Sequence, residues 1–211
     1  MADPTDTLVP FAADRPKTRL SDVLSPAERR AFADAMLDDV LAALSAAGFR
    51  PRLLTTEPTD RDVPETVDER PLSDAVNAAV AAHDPSPAAP LAVVMADLAL
   101  ATPRALSRLR APGDVVLAAG LGGGTNALLT RRPEFRVDYH GGSYLDHLRA
   151  ARRVDASVRE VDSRLLATDA DERADLAEVL SHGDGAARDW LVDAGFELDT
   201  GDGRVSVVRE G

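Results

Sequence analysis

The stretch Leu91-Ala92-Val93-Val94-Met95-Ala96-Asp97 joins a continuous apolar run to a single carboxylate. Such a run is typical of a strand that is buried on both faces of a parallel sheet. A carboxylate directly after a strand of this kind lies at the sheet edge where α/β proteins bind their ligands. We therefore interpret Asp97 as a ligand for Mg²⁺, with a turn or helix-capping aspartate as the alternative.

Strands and helices alternate on both sides of this run. Ser25-Pro26-Ala27-Glu28 is a capping box with proline at the first helical position, and it predicts a helix that ends at Gly48. We expect further helices at 72–82, 103–110, 143–153, 171–182 and 186–194, and strands at 8–11, 52–56, 114–119, 135–139 and 158–161. Residues 57–70 are expected to form a surface loop, and Gly201-Asp202-Gly203 the turn of a terminal hairpin.

This alternation predicts an α/β fold: a single-domain sandwich with a mostly parallel sheet and helices on both faces. The core is expected over residues 8–182, and the C-terminal helix and hairpin over 186–208. The whole chain, 1–211, is treated as one domain.

The composition excludes several classes of partner. The formal net charge of −12 repels nucleic acid and anionic membrane, so we expect neither as a partner. The chain has no cysteine, which excludes disulfides and thiolate chemistry. No apolar segment is long enough to cross a membrane and no secretory signal is evident, so we expect a soluble, cytoplasmic protein. The aspartate-rich, lysine-poor composition resembles that of proteins from halophilic archaea, with an ordinary acidic cytosolic protein as the alternative.

Lysine occurs once, as Lys17, beside 23 arginines. Retention of one compact ammonium, where arginine has replaced every other lysine, suggests a site that binds polyphosphate oxygens. Chance retention of a surface lysine is the alternative.

A second pair of carboxylates, Asp169 and Asp171, is spaced as Asp-x-Asp. At a strand end this spacing places both side chains on one face, close enough to share a hard cation. Helix capping is the alternative for Asp171. With Asp97 the pair makes a three-carboxylate Mg²⁺ site, provided that the sheet brings the three together.

Two glycine-rich segments offer anion-binding backbone. The first, Gly120–Asn126, lacks the Gly-Lys-Ser/Thr of a Walker A loop and is interpreted as a substrate loop, with Gly124 and the side chains of Thr125 and Asn126 in contact with the substrate. The second, Gly141-Gly142-Ser143, is expected to begin a helix, so that Gly142 and Ser143 also bind substrate. A flexible hairpin and simple helix capping are the respective alternatives.

These pieces, in this order, resemble the 2-phospho-L-lactate guanylyltransferase family of coenzyme F-420 biosynthesis. The resemblance covers about residues 8–182 and rests on six segments: Pro16-Lys17-Thr18-Arg19-Leu20-Ser21, Ala35-Met36-Leu37-Asp38-Asp39-Val40, Val94-Met95-Ala96-Asp97-Leu98, Gly123-Gly124-Thr125-Asn126-Ala127-Leu128, Gly142-Ser143-Tyr144 with His147, and Ala167-Thr168-Asp169-Ala170-Asp171. Gly-Gly-Thr-Asn-Ala-Leu and the order of the six are the distinctive part.

The resemblance implies a Rossmann-like nucleotidyltransferase fold and an enzyme that joins GTP to 2-phospho-L-lactate. It implies that Pro10, Lys17, Arg19 and Asn77 bind the nucleotide, with Lys17, Arg19 and Asp97 as the catalytic groups. Thr125 and Ser143 would bind the acceptor, and Asp97, Asp169 and Asp171 would hold Mg²⁺. The oligomeric state stays open, with a homodimer as one assembly.

Two departures from the family pattern leave alternatives open. Phe11-Ala12-Ala13 stands where relatives carry a further lysine, whose charge Arg15 would have to replace. His140 stands where relatives carry glycine, which bears on the choice of acceptor. The alternatives are phosphoenolpyruvate or 3-phosphoglycerate as acceptor, a nucleotidyltransferase for molybdenum cofactor or sugar nucleotides, a methyltransferase or dehydrogenase, and a non-catalytic nucleotide-binding regulatory module.

Overall fold

The fold is given by a computed structural model, which describes residues 4–12, 17–201, 203 and 205–209. Its strands are β1 (Thr5–Phe11), β2 (Phe49–Thr55), β3 (Glu65–Val67), β4 (Leu91–Val94), β5 (Val115–Ala119), β6 (Thr125–Thr130), β7 (Val158–Glu160), β8 (Phe196–Asp199) and β9 (Ser206–Arg209). Its α-helices are α1 (Pro26–Ala46), α2 (Leu72–His83), α3 (Pro103–Ser107), α4 (Ser143–Arg153), α5 (Arg164–Ala167), α6 (Arg173–His182) and α7 (Ala186–Asp193), with 3₁₀ turns at Thr18–Leu20 and Arg108–Arg110.

Seven strands form the central sheet in the order β3-β2-β1-β4-β6-β5-β7. Only β6 runs antiparallel to its neighbours β4 and β5; the other pairings in this sheet are parallel. The chain moves outward from β1 in one direction and from β4 in the other, so the switch point of the topology lies between β1 and β4. Ligands of open α/β sheets bind beyond the carboxyl ends of the strands at such a point.

Apolar side chains cover both faces of the sheet. On one face, β1 and β4 pack against α1 through residues such as Val9 and Val94, which are fully buried with Phe32 and Met36. On the other face Val76 of α2 and Ala151 of α4 join a second buried cluster. The predicted α/β sandwich with a mostly parallel sheet and helices on both faces is therefore confirmed.

Several elements differ from the sequence expectations. The strands β1 and β2 each begin three residues before the expected start, and the short helix α5 was not expected. The stretch 57–70 is not all loop, because Glu65–Val67 pairs with β2 as an edge strand. Residues from Thr125 onward form β6 rather than the end of a loop. The helix expected from residue 171 begins at Arg173, because Glu172 caps it. The expected hairpin is present as β8 and β9, although Asp202 and Arg204 lie outside the described residues.

A further difference is the segment 135–139, which alternates like a strand but pairs with no other strand. Three of its backbone N–H groups are bonded to side chains instead. Val137 N donates to Asn77 Oδ1 over 2.8 Å, Asp138 N to His147 Nε2 over 2.9 Å, and Tyr139 N to Ser73 Oγ over 2.8 Å. The alternation therefore reflects a half-buried segment that α2 and α4 hold by their polar side chains.

The C-terminal helix α7 is fixed to α1 by one carboxylate. Asp39 of α1 accepts hydrogen bonds from Ala186 N over 2.6 Å and from Ala187 N over 2.9 Å, so it satisfies the N-terminus of α7 from a distant part of the chain. A Cβ on Gly185 would lie 2.2 Å from Asp39 Oδ1, so only glycine allows this approach. Within the described residues, none of the helices combines the length and apolar character needed to cross a bilayer.

We expect Asp39→Ala to lower the free energy of unfolding by about 1–2 kcal/mol, because two N–H groups of α7 lose their acceptor. Chemical unfolding in high salt measures the change. Asp193→Ala, at the exposed end of α7, is the matched control and should shift the value by less than about 0.5 kcal/mol. Equal effects of the two substitutions would contradict the capping role of Asp39.

Candidate active site

Three carboxylates and one ammonium meet beyond the carboxyl ends of β1 and β4. Asp97, Asp169 and Asp171 each place a carboxylate oxygen within 4.8 Å of the other two. Lys17 Nζ donates to Asp97 Oδ2 over 2.8 Å and to Asp171 Oδ1 over 2.6 Å. The sheet thus brings together groups that are 154 residues apart in the chain, and we call these four residues the carboxylate cluster.

The charge of Lys17 is stabilised by this environment. Burial alone would lower the pKa of Lys17, but the Asp97 and Asp171 carboxylates outweigh burial and hold that pKa above its ordinary value. The backbone of Lys17 adopts a left-handed conformation with φ of 54°, so this residue turns the chain sharply between the end of β1 and the 3₁₀ turn. A buried, charged ammonium faces the carboxylates as a result.

The donor set suits a hard divalent cation. Mg²⁺ prefers oxygen ligands, and the cluster supplies three carboxylates. Asp97 Oδ1 is buried and has no hydrogen-bond partner among the described residues, which leaves one oxygen available for a metal. Burial raises the pKa of Asp169, the hydrogen bond from Asn126 works against that rise, and the charge of Asp97 adds to it. The residues present therefore fit a divalent cation.

Asn126 connects the sheet to the cluster. Its backbone oxygen accepts from Met95 N over 2.9 Å, which fixes the start of β6 beside the end of β4. Its side-chain Nδ2 donates to Leu166 O and to Asp169 Oδ1, each over 3.1 Å. Both hydrogens of the amide are thus used within the protein. In this structure Asn126 positions Asp169, and its contact with substrate stays a prediction.

The irregular segment after α5 explains how the Asp-x-Asp pair reaches the cluster. Residues 168–171 are not a strand end, as the spacing had suggested; Ala170 N donates to Asp97 O over 3.2 Å and anchors the segment beside β4. Capping does not account for Asp171 either. Asp175 Oδ2 accepts from the N–H groups of Asp171 and Glu172 instead, and the Asp171 carboxylate faces Lys17.

The glycine-rich loop 120–124 packs against the beginning of α4. Thr125 N donates to Ser143 Oγ over 2.9 Å, and Tyr144 N donates to Gly123 O over 3.2 Å. Gly142 caps α4, so Ser143 is its first helical residue and not, as expected, its cap. Ser143 Oγ accepts from Thr125 N, and Thr125 Oγ1 accepts from His147 Nδ1. Each of these two hydroxyl groups therefore keeps its own proton to donate.

His147 sets the orientation of Thr125. Because His147 Nε2 accepts from Asp138 N, its Nδ1 carries the proton and donates to Thr125 Oγ1 over 2.8 Å. His147 is fully buried between the rings of Phe135 and Tyr139. The sequence analysis names His147 only within the segment that it shares with the family and assigns it no role. The signal that could have indicated its role was its position one helical turn after Ser143.

Comparison with known proteins identifies the family of this chain. A model of the family described as guanylyl transferase CofC like matches residues 5–210. This chain belongs to that family. A 2-phospho-L-lactate guanylyltransferase of Halomicrobium mukohataei is 59% identical over 96% of this chain and 98% of its own length. The enzyme of the same name from Haloarcula marismortui is 58% identical over 95% of this chain and 97% of its own length.

Solved structures share the fold at low identity. A protein of Desulfovibrio desulfuricans G20, described as a nucleotide-diphospho-sugar transferase, gives a TM-score of 0.72 at 15% identity over 90% of this chain and 95% of its own. A nucleotidyl transferase from Methanothermobacter thermautotrophicus gives 0.63 at 15% identity over 85% of this chain and 97% of its own. The predicted Rossmann-like nucleotidyltransferase fold is thereby confirmed.

The remaining predicted site residues lie in two different settings. Arg19 is exposed and its Nη1 lies 3.9 Å from Asp171 Oδ2, at the rim of the carboxylate cluster. Asn77 hydrogen-bonds through both ends of its amide to the backbone of Val137, at 2.8 and 3.0 Å. Contact of Asn77 with a nucleotide would require those bonds to break, so in this structure it positions the 135–139 segment. Arg15 lies outside the described residues.

We expect Gly120→Ala to weaken binding of Mn²⁺ to the carboxylate cluster by about tenfold or more. A Cβ on Gly120 would lie 2.5 Å from Asn126 Oδ1, and Asn126 holds Asp169. Titration calorimetry on the free protein measures the affinity. Gly122→Ala is the matched control, because a Cβ there meets nothing within 4 Å. Equal affinities in the two variants would show that Asn126 does not position the cluster.

We expect His147 to make the fold sensitive to acid. Burial lowers the pKa of His147 to about 4 from an ordinary 6.5. In the unfolded chain His147 takes up a proton below about pH 6.5, whereas in the folded chain it does so only below about pH 4. The free energy of unfolding therefore falls as the pH falls through that window.

Between about pH 7 and pH 4.5, wild type should lose about 2 kcal/mol more unfolding free energy than His147→Gln, which has no proton to take up. Urea unfolding of both proteins at the two pH values measures the difference. A parallel decline in the two proteins would show that His147 is not held neutral by the fold.

Proposed function

We propose that this chain is a guanylyltransferase that joins GTP to 2-phospho-L-lactate and releases pyrophosphate. The single observation that carries the proposal is the carboxylate cluster with Lys17 at the switch point of the sheet, in a chain 59% identical to an enzyme of that name. The product would be lactyl-2-diphospho-5′-guanosine. A homodimer in the cytoplasm belongs to the same proposal.

In the proposed reaction a phosphate oxygen of the acceptor attacks the α-phosphorus of GTP in line. The new bond joins that oxygen to the α-phosphorus, and the bond from the α-phosphorus to the bridging oxygen of the β-phosphate breaks. Pyrophosphate carries away the electron pair. The acceptor supplies the nucleophile, so the protein contributes positioning and charge neutralisation.

Both reactants are polyanions, and cationic groups must offset their repulsion. At about 4 Å, two unit charges repel by about 4 kcal/mol at an intermediate dielectric. Lys17 is the buried cation of the cluster, and Arg19 lies exposed at its rim. Mg²⁺ held by Asp97, Asp169 and Asp171 would supply further positive charge to the phosphoryl oxygens.

The acceptor is assigned to the loop 120–124 and the start of α4. Gly124 and Gly142 leave the backbone open to a close approach, since a Cβ on either would meet nothing closer than 3.8 Å. Thr125 and Ser143 each keep a hydroxyl proton to donate to a carboxylate or phosphate. These donors lie next to Asn126, which holds Asp169 and so connects the acceptor region to the cluster.

The test is pyrophosphate release in high salt with Mg²⁺, GTP and each of three acceptors: 2-phospho-L-lactate, phosphoenolpyruvate and 3-phosphoglycerate. We expect release that depends on 2-phospho-L-lactate and that exceeds release with the other two. Release with another acceptor only would contradict the acceptor assignment. Binding of GTP without release would favour a regulatory module.

We expect Asp97→Asn to lower kcat/KM at least about a thousandfold while the thermal midpoint stays within a few degrees, because the amide cannot replace the charge facing Lys17. Asp60→Asn, a substitution at an exposed carboxylate, is the matched control and should retain wild-type turnover. Turnover of Asp97→Asn close to that of Asp60→Asn would remove Asp97 from the reaction.

A further inference from the structure

A second cleft opens beside the carboxylate cluster, and we propose that it holds the guanine base, whose edge is read by Asp68 and Arg70. This inference rests on the proposed function, since it names the part of GTP that the cleft takes. The cleft measures about 420 Å³, within the range of small-molecule sites. Its apolar lining includes Leu54, Leu72, Ala75 and Met95, which offer a flat aromatic ring a dry surface.

The cleft is continuous with the cavity around Lys17 and Asp97. Pro10, Phe11 and Met95 line both cavities, so one ligand can extend from one into the other. A nucleoside triphosphate has this form, because an apolar base is joined through a sugar to a polyanionic tail. In this arrangement the triphosphate lies at the ammonium of Lys17, and the base lies in the apolar cleft.

An acceptor and a donor lie side by side among the residues that line the cleft. Asp68 is 13% exposed at its side chain, and its Oδ1 accepts from Arg70 N over 3.1 Å and from Arg70 Nε over 2.8 Å. Three Arg70 hydrogens, on N, Nε and Nη2, reach this carboxylate, so one of its four acceptor positions remains for a ligand. Arg70 Nη1 makes no hydrogen bond to the described residues, so the guanidinium retains free donors.

The pair is complementary to guanine and not to adenine. Guanine presents the acceptor O6 next to the donors N1–H and N2–H₂, so Asp68 can accept from N1–H while Arg70 donates to O6. Adenine presents a donor where guanine has O6, and an acceptor where guanine has N1–H. Its amino group would meet the guanidinium, and its N1 lone pair the carboxylate, which is the repulsive element that specificity requires.

Two further observations support the assignment. The Arg70 hydrogen bond lowers the pKa of Asp68, so this residue remains a carboxylate acceptor at neutral pH. Thr55 lines the same cleft, and its buried hydroxyl oxygen has no hydrogen-bond partner among the described residues. Such a group is unusual in the absence of a ligand.

The test compares GTP, ITP and ATP by pyrophosphate release and by titration calorimetry with Mg²⁺. For wild type we expect ATP to be at least about a hundredfold poorer in kcat/KM than GTP. ITP, which lacks only the 2-amino group, should be intermediate. Asp68→Asn should reduce the preference for GTP over ATP by about tenfold or more, through KM and with little change in kcat.

Glu69→Gln is the matched control, since Glu69 is an exposed carboxylate between the two residues and does not line the cleft. It should keep the wild-type preference. Arg70→Gln provides a second variant at a side chain that is 55% exposed, where the substitution spares the fold, and it too should reduce the preference. A wild-type ratio of GTP to ATP in both Asp68→Asn and Arg70→Gln would overturn the inference.

The outcomes separate this inference from the proposed function. Normal turnover of GTP with 2-phospho-L-lactate, with an unchanged base preference in both variants, would refute the base site and leave the guanylyltransferase intact. Preferential binding of GTP that is lost in Asp68→Asn, without turnover of 2-phospho-L-lactate, would support the base site and refute the function.

Discussion

The interaction on which the rest of the site depends is the double hydrogen bond from Lys17 to Asp97 and Asp171, at 2.8 and 2.6 Å. Carboxylates within 4.8 Å of one another repel strongly in a partly buried setting, and the ammonium offsets that repulsion within the protein itself. The same contact ties the chain after β1 to the segment before α6. This electrostatic contact therefore joins the two segments that assemble the site.

The sequence predicts those parts of the molecule that depend on local pattern. The apolar run of β4 and the capping box at Ser25 each determine their element without help from distant residues, and both appear as expected. Asp97 was predictable for a related reason, because the residue after a buried parallel strand must emerge at the ligand-binding edge. The convergence of Asp97 with Asp169 and Asp171 does not follow from strand direction, because the segment 168–171 is irregular and a hydrogen bond from Ala170 N to Asp97 O anchors it beside β4.

The parts of the structure that the sequence does not predict depend on hydrogen-bond partners that are distant in the chain. The segment 135–139 has the alternation of a strand, yet three of its N–H groups donate to the side chains of Asn77, His147 and Ser73. No local pattern predicts these partners. Asn126 was expected to face a substrate, but the antiparallel course of β6 brings its amide to Asp169. The short edge strand β3 was hidden because its polar residues match those of the loop around it.

Under the proposed function, a protein of net charge −12 would bind two polyanions and would have to concentrate its cationic groups where they act. Buried Lys17 would meet this need, because a compact ammonium fits among carboxylates that a planar guanidinium would crowd. Over the rest of the surface arginine replaces lysine, and high salt would screen the negative field beyond a few ångströms. The anionic substrates would then meet the local charge of the site and little of the charge of the whole protein.

The most direct measurement is a crystal structure with Mn²⁺ and a GTP analogue in which a methylene group replaces the α,β-bridging oxygen. The account predicts an anomalous manganese peak within about 2.5 Å of carboxylate oxygens of Asp97, Asp169 and Asp171, with Lys17 Nζ in contact with a phosphate oxygen. A manganese peak bound elsewhere, with the triphosphate remote from Lys17, would contradict it.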